Sequence, residues 1–287
     1  MVAAAAILSW FLVGMQSALL RNLHLGKEVR QDGPESHLAK SGTPSMGGLA
    51  FTLAAVAVYF LRGGDQLQPV LLLAIGFGLL GLADDLAGLA ARPLRAREKL
   101  ALQFVMAIVF AAYVGRSIHY TNWPWLDYAL YTLVLVGAAN AFNFTDGLDG
   151  LAAGVSAIIL LPFISLPLAG AFIGALLGFL WHNAPKARIF MGDAGSQLLG
   201  ALVAGIFITQ GRLWFLPLAA LIPVLEVASV IVQVAWFKYT GKRIFRMTPI
   251  HHHFELIGWG EAKVVMRFWV ITALAVALAV QLWGGVS

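Results

Sequence analysis

Long apolar stretches separated by short polar loops recur along the whole chain. Ten are drawn, over residues 2–20, 46–61, 69–83, 98–114, 126–142, 150–164, 167–181, 195–210, 213–237 and 264–283. None has the strict alternation of a membrane-barrel strand, so each is predicted as a helix. Crossing a bilayer takes about 20 apolar residues, within a range of about 17–25. Several runs fall short of that, so their ends are set only to within a few residues. Lipid offers no partner to backbone polar groups, and helices satisfy those groups internally. The sixth and seventh runs nearly meet, around Pro162 and Pro167. Counted as two, they make the total even. The predicted fold class is all-α: a polytopic membrane protein of about ten transmembrane helices, forming a single integral membrane domain over 1–287.

Composition narrows this further. The 287 residues are 60% hydrophobic and 11% charged, with mean hydropathy +0.82. Soluble domains carry about 25% charged residues. An ordinary soluble enzyme, a disordered chain and a disulfide-built secreted domain are excluded. The absence of cysteine removes thiolate nucleophiles and cysteine-ligated metal sites. The net charge of +5 matters through its location. Loops after odd-numbered runs, with the helix ends that border them, hold sixteen of the nineteen Lys and Arg. Arg62, Arg116 and Arg212 are the remainder. The positive-inside rule then puts the basic loops in the cytoplasm and both termini outside. The first run has no basic residue before it, and Arg21, Lys27 and Arg30 follow it. That pattern predicts an anchored first helix rather than a cleaved signal. The charge thus reads as membrane orientation, and no nucleic-acid partner is expected.

Eleven of the fourteen acidic residues fall on the same predicted face, in short motifs bordering apolar helices. Asp84–Asp85 closes the third run. Adjacent carboxylates repel, and a divalent cation or the nearby Arg97 or Lys99 would relieve them; a helix end simply meeting water is the alternative. In the stretch from Asn143 to Gly150, two Gly and two Asp within five residues make a tight turn that a ligand can approach closely. Asp149 is placed there as a cap for the sixth helix. In the stretch from Asn183 to Ser196, Gly192-Asp193-Ala194-Gly195-Ser196 leads into a helix. Helix starts favour anions such as phosphate, and Asp193 there suits Mg²⁺ held against phosphate oxygens. Phe190 is available to stack on a base, or to tuck into the membrane interface. His251, His252 and His253, preceded by Lys242, Arg243 and Arg246, are not a helix-face metal motif but suit donation to phosphate. Lys40 opens a Gly- and hydroxyl-rich stretch to Gly48 and suits a diphosphate; a simple cap and turn is the alternative. Glu226 lies three residues after Pro223 inside the ninth run. It is either a functional acid or a partner for backbone loosened by a proline kink. Gln233 nears the cytoplasmic mouth. His24, His119 and His182 are assigned no role. Hard oxygen ligands, basic residues and glycine turns at one membrane face suit Mg²⁺-assisted phosphoryl transfer between a soluble and a lipid-borne substrate. No Gly-x-x-x-x-Gly-Lys-Ser/Thr loop supports an ATP-driven pump.

These motifs resemble the phospho-N-acetylmuramoyl-pentapeptide transferases, within the polyprenyl-phosphate N-acetylhexosamine-1-phosphate transferases. The matching pieces are Val29 to His37, Gly42 to Gly48, Asp84–Asp85, Thr145 to Gly150, Phe190 to Asp193, and Arg243 to Glu255. The resemblance implies transfer of phospho-MurNAc-pentapeptide from UDP-MurNAc-pentapeptide to undecaprenyl phosphate, giving lipid I and UMP in peptidoglycan biosynthesis. It further implies Mg²⁺, ten transmembrane helices, a homodimer in the bacterial inner membrane, and a cytoplasmic pocket open to nucleoside antibiotics. By that resemblance Asp193 is the Mg²⁺ ligand, and Asp84 and Asp85 are the catalytic pair near the lipid phosphate. Lys40, Asp146, Gly147, Leu148, Asn183 and Phe190 line the uridine side. Ser45, Lys99, Asn143, Asp149, Gln233, His251, His252 and His253 line the rest. The run Trp181 to Lys186 departs from the family's usual pattern and is nearer to relatives using simpler UDP-amino sugars. A sister GlcNAc-1-phosphate transferase is therefore the alternative. A transporter or channel is the non-enzyme alternative; it predicts polar residues through the midplane, where Glu226 is nearly alone.

Overall fold

A computed structural model describes residues 1–23, 40, 42–90, 92 and 94–285. His24, Lys27, Arg30 and the piece Val29 to His37 lie outside them. The described residues form helices joined by turns, with no β-strand. They are α1 (Val2–Asn22), α2 (Gly47–Leu61), α3 (Gln68–Leu89), α4 (Ala96–Val114), α5 (Pro124–Thr145) and α6 (Leu151–Leu160). After a 3-10 turn at Leu161–Phe163 come α7 (Pro167–Asn183) and α8 (Asp193–Thr209). A second 3-10 turn, Leu213–Phe215, leads into the single turn α9 (Leu216–Ala219), then α10 (Leu221–Thr240), α11 (Ile250–Leu256) and α12 (Glu261–Gly284). Each of the ten apolar runs coincides with helix. Five helices (α1, α3, α5, α10 and α12) are long and apolar enough to cross a membrane. The sixth and seventh runs are separate helices that pack on each other.

The bundle is built around α8. Every residue from Ala194 to Ile208 is buried, because α3, α5, α2 and α6 pack around it. Small residues let these backbones come close. A Cβ at Gly81 of α3 would stand 2.1 Å from the Asp193 carbonyl oxygen, and one at Gly48 of α2 would stand 2.3 Å from Gly195 N. The peripheral helices have the opposite character. In α10 the buried residues are Ile222, Pro223, Glu226, Ser229 and Gln233. Their spacing of three and four makes one stripe, and three of the five are polar. The apolar side chains of α10, such as Val232 and Val234, face outward. A helix with its polar stripe inside and its apolar face outside is made for lipid surroundings.

Pro223 does not kink the ninth run as expected. It sits in the first turn of α10, where a missing N–H costs nothing. The break falls earlier, at Ala220 (φ −96°, ψ 34°). Two of the acids outside the predicted cytoplasmic set serve local structure. Asp65 accepts from Tyr59 Oη (2.7 Å) and Leu67 N (2.8 Å), and Asp127 from Thr121 N (2.9 Å).

Candidate active site at the carboxylate cluster

Asp84 and Asp85 lie a turn before the end of α3, which continues to Leu89. Neighbours on a helix point about 100° apart, so the two carboxylates face different elements. Asp84 accepts from Leu94 N (3.0 Å) and pairs with Lys99 Nζ (3.0 Å), from the first turn of α4. Asp85 accepts from Asp193 N (3.2 Å) and Ala194 N (3.0 Å). The start of α8, read from sequence as a place for phosphate, thus already holds an anion, and that anion is Asp85. The arrangement is physically favourable, since unpaired N–H groups and the helix dipole both attract a carboxylate. Gly192, at φ 76°, makes the turn tight enough to bring Asp85 and Ser45 alongside; a Cβ there would stand 2.6 Å from Asp85 Oδ2 and 3.0 Å from Ser45 Oγ. The Ser45 hydroxyl is buried and has no hydrogen-bond partner among the described residues.

Asp193 is the meeting point of three helices. Its carboxylate is bound by Lys99 Nζ and accepts from Asn143 Nδ2 (2.9 Å) and Gln197 Nε2 (3.4 Å). Asn143 Nδ2 also reaches Ser196 Oγ (2.9 Å). Lys99 therefore sits between Asp84 and Asp193, and of the adjacent pair Asp84–Asp85 it meets Asp84.

A second cluster lies around Asp149, which is buried. It does not cap the sixth helix: Gly150 is the residue at that cap, at φ 78°. The Asp149 carboxylate instead holds Lys40 Nζ (2.7 Å) and accepts from Ala187 N (2.9 Å). Lys40 also meets Glu261 Oε1 (2.5 Å), which accepts from Asp149 N (2.7 Å). Asn183 joins the same two loops, accepting from Gly150 N (3.0 Å) and donating to Ile189 O (2.9 Å). Leu148 is buried in the hydrophobic core. Asp146 and Gly147 are half-buried beside it, as is Phe190.

The three histidines of α11 do not act as one group. His251 is buried, 3.1 Å from Glu226 Oε2 through Nδ1. His252 Nδ1 lies 2.8 Å from Glu255 Oε2. His253 Nδ1 accepts from Arg246 N (3.2 Å). Gln233 ties down the loop before them: Oε1 accepts from Ile244 N (2.9 Å) and Phe245 N (3.1 Å), and Nε2 donates to Phe245 O (3.0 Å). Glu226 serves an element other than its own helix, accepting from His251 N (3.4 Å).

Among the described residues, no three His, Asp or Glu form a complete metal cage. Mg²⁺ does not need one, because it is held by one or two carboxylates with phosphate oxygens and water. Asp84 and Asp193 share the ammonium of Lys99, and Asp85 lies beside them on the backbone N–H groups that open α8. Carboxylate oxygens are hard donors of the kind that a divalent cation takes.

Residues 67–211 match the profile of glycosyl transferase family 4, and residues 40–51 match signature 1 of the phospho-N-acetylmuramoyl-pentapeptide-transferases. Proteins of that name are 44% identical in Deinococcus radiodurans and 47% in Deinococcus deserti, each alignment covering 99% of both chains. One in a Thermoanaerobacter species is 43% identical over 91% of this chain and 90% of its own. The chain belongs to the phospho-N-acetylmuramoyl-pentapeptide-transferase family. The transferase signature segment is bound directly to the turn before α8. Phe190 N donates to Pro44 O (2.8 Å), Gly47 N to Phe190 O (2.9 Å) and Gly48 N to Met191 O (2.9 Å).

Sequence reasoning missed two parts of this transferase site. Glu261 is one of the eleven acids on the predicted cytoplasmic face, but nothing local marks it as the partner of Lys40 and Asp149, 221 and 112 positions away. A buried polar relay stands behind Asp193: Asn140 Nδ2 donates to Gln103 Oε1 (2.8 Å), Gln103 Nε2 to Gln197 Oε1 (2.9 Å), and Gln197 reaches Asp193. Its signal was present as three amides inside apolar runs, where polar groups are expensive.

Proposed function

We propose that this transferase moves phospho-MurNAc-pentapeptide from UDP-MurNAc-pentapeptide to undecaprenyl phosphate, releasing UMP and leaving lipid I in the bacterial inner membrane. The observation carrying this reading is the convergence of Asp84, Asp85, Asp193 and Lys99 from three helices of a chain in this family. An anionic oxygen of the acceptor phosphate attacks the sugar-bearing phosphorus. The P–O bond to UMP breaks, and UMP leaves with its oxygen. A phosphate monoester has its second pKa near about 6, so the nucleophile is already ionised and Asp84 serves to orient rather than deprotonate. Mg²⁺ held by Asp193, with Asp84 or Asp85 alongside, would supply neutralisation of the diphosphate. Lys99, beside Asp84 and Asp193, offers positive charge to the leaving phosphate, and Asn143 keeps Asp193 aligned. Asp146, Gly147 and Phe190 form the uridine side, with Phe190 stacking on the base, on loops that Lys40, Leu148 and Asn183 hold in place; this pocket is also the seat for nucleoside antibiotics. Ser45, His252 and His253 complete the lining, while Asp149, Gln233 and His251 hold the loops behind it. The reading includes ten spans in one domain, both termini outside, a cytoplasmic active site and a homodimer.

The test is UMP release by purified protein in detergent with undecaprenyl phosphate and UDP-MurNAc-pentapeptide, in Mg²⁺ or EDTA. Release that needs both substrates and Mg²⁺ is expected. Turnover with UDP-GlcNAc alone would overturn the donor assignment.

A further inference from the structure

Glu226 is a carboxylate inside an apolar helix, and it is fully buried. Such a group is costly unless a partner repays its desolvation. Its partner is His251, itself fully buried. Oε2 accepts from the His251 backbone N–H (3.4 Å) and stands 3.1 Å from Nδ1. The other edge of the ring is wedged against Gly147, where a Cβ would meet Nε2 at 2.2 Å and Cε1 at 2.6 Å. Only a residue without a side chain lets the imidazole in. Three atoms of this couple, Glu226 Oε1 and His251 Nδ1 and Nε2, are buried with no hydrogen-bond partner. Native structures leave few such atoms, and those they leave call for an explanation.

We infer that Glu226 is a positioning residue, acting through His251 on the turn Asp146-Gly147-Leu148-Asp149. The inference rests on the nucleotide role given to that turn above. Glu226 holds the ring from the membrane side, the ring sets how far Gly147 enters the site, and Asp149 anchors the far end of the turn on Lys40 and Glu261. The polar stripe of α10 thereby reaches the nucleotide pocket without touching nucleotide. A mere staple between α10 and α11 would also bury this pair, but its loss would lower only stability.

The experiment measures UMP affinity and the unfolding midpoint in detergent for wild type, Glu226→Gln, Glu226→Leu, His251→Ala and both Glu226 changes combined with His251→Ala. Glu226→Leu is expected to weaken UMP about tenfold, the usual scale for losing an orienting partner. Glu226→Gln keeps an acceptor for His251 N–H and is expected to lose less. Neither is expected to weaken UMP further in the His251→Ala background, since residues in one network are not additive. KM for undecaprenyl phosphate should stay unchanged in Glu226→Gln, which also carries the test if Glu226→Leu does not fold. Unchanged UMP affinity in the folded Glu226 variants would overturn the inference, as would fully additive losses with His251→Ala. A wild type that does not bind UMP would overturn the transferase reading and this inference with it.

Discussion

Asp193 makes more polar contacts across the bundle than its place in the motif suggests. It takes Lys99 from α4, Asn143 from α5 and Gln197 from its own helix, and its backbone N–H goes to Asp85 of α3. Asp193→Asn removes one negative charge yet keeps the size and an acceptor. We expect it to lower UMP release at least about a hundredfold, the scale for losing one group that stabilises developing charge. The unfolding midpoint in detergent should stay near that of wild type. Retained activity at saturating Mg²⁺ would take Asp193 out of the metal site. Some residues read as substrate-lining prove to be engaged with the protein itself. The amides of Asn183 and Gln233 are occupied by backbone, and Leu148 is in the core. In the proposed reading they act on the nucleotide through the loops they hold.

At the scale of elements, the close contact of α3 with α8 brings the carboxylates together. Gly81 is the contact point, three residues before Asp84 and directly against Asp193. A larger residue there must push the helices apart, taking Asp85 from the start of α8. Gly81→Val is expected to destabilise by about 1–3 kcal/mol, as overpacking does, and to lower turnover with it. Gly88, on the same helix, has nothing within 4 Å of an added Cβ. Gly88→Ala should be neutral or slightly stabilising on thermal unfolding, because it removes a flexible residue from a helix. Equal behaviour of the two variants would show that packing at Gly81 does not set the site.

At the scale of the molecule, orientation in the membrane is testable because the chain has no cysteine. Single cysteines introduced at Ser117, in the loop after α4, and at Lys186, in the loop after α7, are both at exposed positions. In spheroplasts, a membrane-impermeant maleimide should label Ser117→Cys directly and Lys186→Cys only after permeabilisation. The reverse pattern would invert the proposed topology. Labelling of both from outside would break the span count.

Helix content and the order of the elements follow from local information. Runs of apolar residues bounded by polar turns have one stable form in lipid, so each apolar run coincides with helix, and the motifs already named the carboxylates. The tertiary structure decided which groups pair. Asp85 rather than phosphate fills the α8 N-terminus, Lys99 stands between Asp84 and Asp193, and Glu261 completes the Lys40 site. Those choices depend on distances between helices far apart in sequence, set by glycine contacts and by polar stripes turned inward. Hydropathy marks a residue as inside or outside the apolar layer; it carries no information about which helix that residue will face.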